Sequence, residues 1–139
     1  MTTQELESNK EVVRRFNKEV LAGGNFETFK QIMHGEFINR TAPPNANDAD
    51  GLWITFSTVL RPAFPDLAVE IHDQIAEGDK VVSRKTITAT HQGKIFDIPA
   101  TGKKIKIDVI DIVRVKDGKY FEHWGINTLQ TVLAELRKD

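Results

Sequence analysis

Hydrophobic positions recur at two different spacings along this chain, and the change from one to the other divides it. From Leu6 the apolar residues Val12, Val13, Phe16, Val20 and Leu21 fall three and four apart, the spacing of a helix with one buried stripe. Thr2 and Glu5 can form a capping box at its start, and Gly23-Gly24 stops it. A second, shorter helix follows Asn25, with Phe26, Phe29 and Met33 along one face. Phe37-Ile38 suggests a short strand, and the stretch from Ala42 to Asp50, with Pro43-Pro44, reads as a surface loop. A third helix beginning near Asp48 or Asp50 carries Trp53, Phe56, Leu60 and Phe64 on one side, and Pro62 and Pro65 end it. That face is wide and aromatic, so a sheet is its natural partner.

Beyond Pro65 the pattern becomes alternation. Val69, Ile71, Asp73 and Ile75 alternate as far as Glu77-Gly78-Asp79, and a β-branched strand returns from Val81 to Gln92, which predicts a hairpin. A connection from Gly93 to Lys103 leads to Ile105, Ile107, Val109, Val113 and Val115, the marks of another long strand. Asp117-Gly118 turns this strand back into a partner from Tyr120 to Ile126. Leu129, Val132, Leu133 and Leu136 then give a closing helix capped by Thr128 or Asn127. Helices come first and hairpins follow, with no βαβ repeat. The order predicts a single α+β domain over residues 1–139, a cone-shaped, curved antiparallel or mixed sheet wrapped around the N-terminal helices, with a short C-terminal helix.

Composition removes several function classes. The formal net charge is −1, with 19 basic residues against 20 acidic ones, so the electropositive face that a nucleic-acid binder needs is missing. Lys103, Lys104 and Lys106 read as the solvated edge of a strand. The chain has no apolar run of about 18 residues and no apolar segment near its start, which predicts a soluble protein with no membrane span and no export signal, suited to the cytoplasm. The absence of cysteine excludes disulfides and thiol chemistry. His34, His72 and His123 are expected on the surface, no histidine-carboxylate cluster has metal-ligand spacing, and no phosphate-binding glycine loop or nucleophile elbow is present.

The hairpin around Asp117-Gly118 supplies the candidate chemistry. A two-residue turn pairs Lys116 with Lys119, and stepping outward pairs Val115 with Tyr120, Val113 with Glu122, Asp111 with Trp124 and Val109 with Ile126. These eight residues would share one apolar face whose exceptions are Asp111 and Glu122, diagonal neighbours about 7–8 Å apart. Two carboxylates in an apolar hollow repel and are desolvated, so at least one pKa should rise and the pair could exchange protons with a ligand. The plainer alternative pairs one of them with an arginine such as Arg84 or Arg61. The opposite face, with Ile110, Ile112, Phe121 and His123 among charges, suits a subunit contact. His91, at the end of its strand, is a further acid-base candidate or a structural hydrogen-bonding residue.

Several segments together resemble the SnoaL-like polyketide cyclases of the nuclear transport factor 2-like superfamily. They are Ala63-Phe64-Pro65-Asp66-Leu67, Glu77-Gly78-Asp79-Lys80-Val81-Val82, Thr90-His91-Gln92-Gly93, Pro99-Ala100-Thr101-Gly102-Lys103, and Asp117-Gly118-Lys119 leading to Glu122-His123-Trp124, and the resemblance runs nearly end to end. It implies a cone-shaped α+β barrel, commonly dimeric, with a cavity for a small organic ligand between sheet and helices and no metal or organic cofactor. It also implies ring closure by intramolecular aldol condensation, with an aspartate shortly after the tryptophan as acid and base. Here that position falls on Thr128, beside Asn127, and the histidine common after the first strand is Arg40. Asp111, Glu122 and His91, with Asn127 and Thr128, are therefore the candidate catalytic positions, and Trp53, Phe56, Tyr120, Trp124, Val109 and Val113 the candidate pocket lining. Three functions compete: an acid-base enzyme, a binding protein that kept the pocket and lost the chemistry, and a structural dimer.

Overall fold

A computed structural model describes residues 1–138. Helix α1 (Thr3–Arg15) starts where Thr2 accepts a hydrogen bond from the Glu5 amide at 3.1 Å, and it continues as a π-helix, Phe16–Ala22. The Val13 carbonyl there accepts both the Phe16 amide and, at 2.9 Å, the side-chain amide of Asn17. Gly24 takes φ +65° at the end of this helix, and the Arg61 guanidinium lies 2.6 Å from where its Cβ would stand, donating to the Ala22 carbonyl at 2.9 Å. Helix α2 (Phe26–Ile32), capped by Asn25, runs directly into β1 (Met33–Asn39). Helix α3 (Ala49–Thr55) is capped by Asp48 and extends through a π turn (Phe56–Leu60) and one α turn, α4 (Arg61–Ala63), before Pro65 closes it.

Four strands follow: β2 (Ala68–Glu77), β3 (Lys80–Thr90), β4 (Lys104–Lys116) and β5 (Lys119–Asn127), and then α5 (Leu129–Leu136). They form one five-stranded sheet in the order β1-β5-β4-β3-β2, antiparallel except for β1 against β5. The expected α+β architecture with a mixed sheet is therefore the observed one. In β4 the odd positions from Ile105 to Val115 are buried against the helices, whereas Lys106, Asp108 and Ile110 are exposed on the other side. Val13, Phe16 and Val20 of the first helix, Phe56 and Phe64 of the third, and Leu133 and Leu136 of α5 meet that inner face in one continuous core. No helix among the described residues is long and apolar enough to cross a membrane.

Candidate functional site

The pairing of β4 with β5 begins as the turn dictates, Lys116 with Lys119 and Val115 with Tyr120, and then slips by one residue. Phe121 is the extra residue of a bulge, and beyond it Arg114 pairs with Glu122, Val113 with His123, Ile112 with Trp124 and Asp111 with Gly125. One inserted residue moves every later side chain of β5 to the opposite face. Asp111 and Glu122 therefore lie on opposite sides of the sheet, and the predicted carboxylate pair does not exist. Trp124, expected to line the cavity, sits with Ile112 on the outer face, and His123, expected on the surface, points inward.

What the inner face assembles instead is a line of polar groups across an apolar floor. Asp111, whose side chain is 1% exposed, accepts through one oxygen from Lys85 at 2.9 Å and lies 3.3 Å from Nε2 of His123. Lys85, 5% exposed, also donates to Oδ1 of the Asn17 side chain at 2.7 Å, so the π-helix of the first element reaches into the cluster. On the far side, Nδ1 of His123 is 3.1 Å from Oδ1 of Asn39, the last residue of β1. Thr41 donates to that same oxygen from its amide and its hydroxyl, which fixes the Asn39 amide with its oxygen toward the ring. The second Asp111 oxygen, Oδ1, is buried with no hydrogen-bond partner. The Tyr120 phenol is buried nearby.

The electrostatics follow from these contacts. Burial pushes the Asp111 carboxyl upward, but the hydrogen bond from His123 and the Lys85 ammonium outweigh it and hold the group below its ordinary value. For the Tyr120 phenol, burial comes first and the Asp111 charge second, and both push it well up. Glu122 shows the same contest as Asp111 on the outer face. Burial raises it, and the hydrogen bonds from Arg40 at 2.6 Å and Arg114 at 2.9 Å prevail, so it too is held below its ordinary value. The expectation that one of these two carboxyls is raised is thus overturned. Glu122 takes the arginine-paired role, but its partners are Arg40 and Arg114. Arg84 binds Asp73 at 2.7 Å and Arg61 caps the first helix.

His91 is fully buried. Its Nδ1 receives the Thr101 hydroxyl at 2.9 Å and the Thr101 amide at 3.3 Å, so it ties the 93–103 connection to the strand end rather than standing at a wet rim. Thr128 is the N-cap residue of α5, its hydroxyl accepting from the Asp108 amide at 2.9 Å, and Asn127 before it accepts from the Leu129 amide at 3.0 Å. Neither faces the Asp111 cluster through a hydrogen bond. Val109 and Val113 flank Asp111 on the inner face, as alternation requires. Phe56 packs on Phe16, and Trp53 packs on Phe26 and Phe29. Tyr120 stacks on Phe16 with ring centroids 4.2 Å apart, so aromatic side chains occupy the space between helices and sheet where the cavity was expected.

A groove of about 540 Å³ opens instead on the outer face, lined by His72, Arg84, Lys106, Asp108, Ile110 and Ile126, and the expected site residues Val109, Asn127 and Thr128 border it. Of its charges, Arg84 pairs with Asp73 outside the lining and Lys106 lies 3.9 Å from Asp108. Among the described residues no three His, Cys, Asp or Glu side chains gather into a group that could hold a metal ion.

Sequence reasoning missed Lys85, Asn17 and His123. For Lys85 the signal was available: it occupies the same parity of β3 as Val81, Ser83, Ile87 and Ala89, all buried, and a lysine there needs an anionic partner across the sheet.

Comparison with known proteins follows the same direction. The sequence profile of the SnoaL-like polyketide cyclases matches residues 11–136. A candidate polyketide cyclase from Acidithiobacillus ferrooxidans superposes with a TM-score of 0.83 at 30% identity, covering 99% of this chain and 98% of that one. A similar candidate from Bacillus cereus gives 0.82 at 29% identity over 98% and 85%. A candidate SnoaL-like polyketide cyclase from a Jannaschia species gives 0.86 over 100% and 98%, a likeness of fold at 22% identity. No curated protein matches the chain.

Proposed function

The chain belongs to the SnoaL-like polyketide cyclase family, and we propose from that premise that it performs acid-base chemistry on a small, largely apolar carbonyl compound at the helix-facing side of the sheet. The observation that carries the proposal is the Asp111 cluster. A buried ion pair is seldom more stabilising than apolar side chains of similar volume, so its presence in an apolar face calls for another reason. A buried carboxylate oxygen without a partner calls for one as well.

In this reading Oδ1 of Asp111 accepts a proton from the carbon next to a carbonyl. The N–H groups of His123 and Lys85 stabilise the negative charge that develops on the carbonyl oxygen. The enolate then either attacks a second carbonyl within the same molecule, which closes a ring by aldol addition as the new alkoxide takes the proton from Asp111, or regains that proton at a different carbon, which is an isomerisation. Either route draws only on the chain's own side chains. Val109, Val113 and Tyr120 would form the apolar wall against the ligand, with the Phe16 ring displaced from Tyr120 to admit it.

A second reading is a binding protein that retained the pocket without turnover. Thr128, at the position of the family's aspartate, engages the Asp108 amide and brings no carboxylate to the inner face, which favours this alternative. Both readings include a cytoplasmic homodimer formed through the outer face, where Ile75, Ile110 and Ile126 are 66%, 54% and 80% exposed among charges of both signs.

The test is a set of small ketones and 1,3-diketones added to isotope-labelled protein, with amide shifts mapped and new products sought by mass spectrometry. Shifts centred on Asp111, Val113, Tyr120 and His123 with conversion support the enzyme, and the same shifts without conversion support the binder. Shifts confined to the outer groove overturn both.

A further inference from the structure

Asp111 and Lys85 are almost completely enclosed, whereas the His123 side chain is 19% exposed and touches both the cluster and the surface. Its position depends on two features of β5. The Phe121 bulge turns it inward, and Gly125, two residues further along the same face, leaves the strand bare where the ring must lie. A Cβ at Gly125 would stand 2.8 Å from Cε1 and 3.3 Å from Nε2 of His123, and the next nearest atom, Cβ of Asp111, would be at an ordinary 3.7 Å. The backbone angle of this glycine is not in the left-handed region, so conformational freedom does not account for it. The imidazole itself fills the space that a side chain would take.

We propose that His123 is the group this site presents to a ligand and that Gly125 is its positioning residue, a refinement that rests on the acid-base reading above. The contacts also specify what His123 presents. Both ring nitrogens face acceptor oxygens, Asp111 Oδ2 on one side and the fixed Asn39 Oδ1 on the other, so a ring that satisfies both carries a proton on each. Asp111 faces one edge of the ring, Asn39 and Thr41 hold the other, and Gly125 sets the distance. To donate to a ligand His123 must turn one N–H from its present acceptor, and the longer contact, Nε2 at 3.3 Å from Asp111, is the one it gives up to an oxygen that gains negative charge, as in carbonyl compounds that react through an enolate. It shares the face with Asp111 Oδ1, the acceptor for the carbon-bound proton, and the two halves of the proton transfer are divided between them.

The experiment uses Gly125→Ala, His123→Ala and the double variant, each as the full chain. Gly125→Ala is expected to lower the melting temperature by about 5 °C or more, because the ring must leave or the strand must shift. In the His123→Ala background the same substitution should change it by less than about 2 °C or raise it, since the clashing ring is gone and alanine restricts the unfolded chain. Equal losses in both backgrounds, or a double variant that does not fold while His123→Ala does, would overturn the positioning role.

Two-bond proton-nitrogen NMR of the imidazoles gives the spectroscopic signature. The intact protein should show His123 held in one hydrogen-bonded pattern distinct from that of exposed His72, and both Gly125→Ala and Asp111→Asn should shift it. An unchanged pattern in Gly125→Ala overturns the proposal. Carbethoxylation mapped by mass spectrometry supplies a third reading, with buried His91 and exposed His72 as internal references. His123 should react about tenfold faster in Gly125→Ala, and an unchanged rate counts against the proposal. None of these measurements involves a carbonyl ligand. Their failure removes His123 from its assigned place and leaves the acid-base reading to the ligand titration, whereas a titration that fails while these succeed leaves the geometry standing without its chemistry.

Discussion

Substituting Asp111 by Asn tests whether the buried ion pair governs the fold as well as the site. The change keeps the shape of the side chain but leaves the Lys85 ammonium, 5% exposed and 2.9 Å from the lost charge, with Asn17 as its other hydrogen-bond partner. Removing one partner of a buried pair costs about 3–5 kcal/mol, chiefly because the remaining charge stays desolvated. A chain of 139 residues has an unfolding entropy of about 0.3 kcal/mol per degree, so the expected fall in melting temperature is about 10–17 °C. Lys85→Met combined with Asp111→Leu removes both charges and should return most of that loss, because packed apolar residues replace the pair at similar volume.

The pH dependence has a definite sign. The native Asp111 carboxyl is held below its ordinary value. Its contribution is therefore fully present above the unfolded-state pKa of about 3.9 and is lost as pH falls through the lower native value. The intact protein should lose stability steeply below about pH 4, and Asp111→Asn should show a shallower decline there. Calorimetry between pH 2.5 and 7 measures both quantities. A loss under about 3 °C for Asp111→Asn at neutral pH, or a double variant whose loss equals the sum of the two single ones, would refute the reasoning.

Three further outcomes are expected. Glu122→Gln should lower stability by about 2 kcal/mol in chemical denaturation, because hydrogen bonds from two guanidiniums lose their charged acceptor, and Arg40→Met with Arg114 intact should lose less. Light scattering at micromolar concentration should report a dimer for the intact chain and a monomer for Ile110→Glu combined with Ile126→Glu, and a monomer for the intact chain would exclude the outer-face contact. In a Trp53→Phe background, fluorescence of Trp124, which shares the outer face with Ile112, should become more readily quenched by acrylamide as the protein is diluted through its dissociation range.

The helices, hairpins and closing helix were legible because their signals are periodic and repeated. A stripe of Val13, Phe16 and Val20, or alternation through β4, survives an error at any one position. The register of β5 was not legible beyond Tyr120, since it depends on one residue that pairs with nothing. Tyr120, Phe121, Trp124 and Ile126 follow no single parity, and that irregularity was the available warning of a bulge. The consequence was large for the site, because moving β5 by one residue exchanged Glu122 and Trp124 for His123 and Gly125 on the inner face. Asn17 was illegible for another reason. A helix read by its apolar stripe shows which side is buried, but not that a π turn would carry an amide from that side to a lysine 68 positions away.

The stack of Phe16 on Tyr120 bears on how tightly any ligand can be held. Its two rings come from the π-helix and from the strand beside the Asp111 cluster, so on the function proposed above a molecule reaching the cluster from the helix side would have to part them. Binding would then be coupled to the fraction of molecules in which Phe16 has swung away. If about one molecule in a hundred is open at rest, the measured dissociation constant is about a hundredfold weaker than the intrinsic one. Smaller residues at position 16 would remove that handicap at the expense of a looser core. The affinity of this protein for a small molecule would thus be set as much by an aromatic contact that the ligand abolishes as by the polar groups it meets.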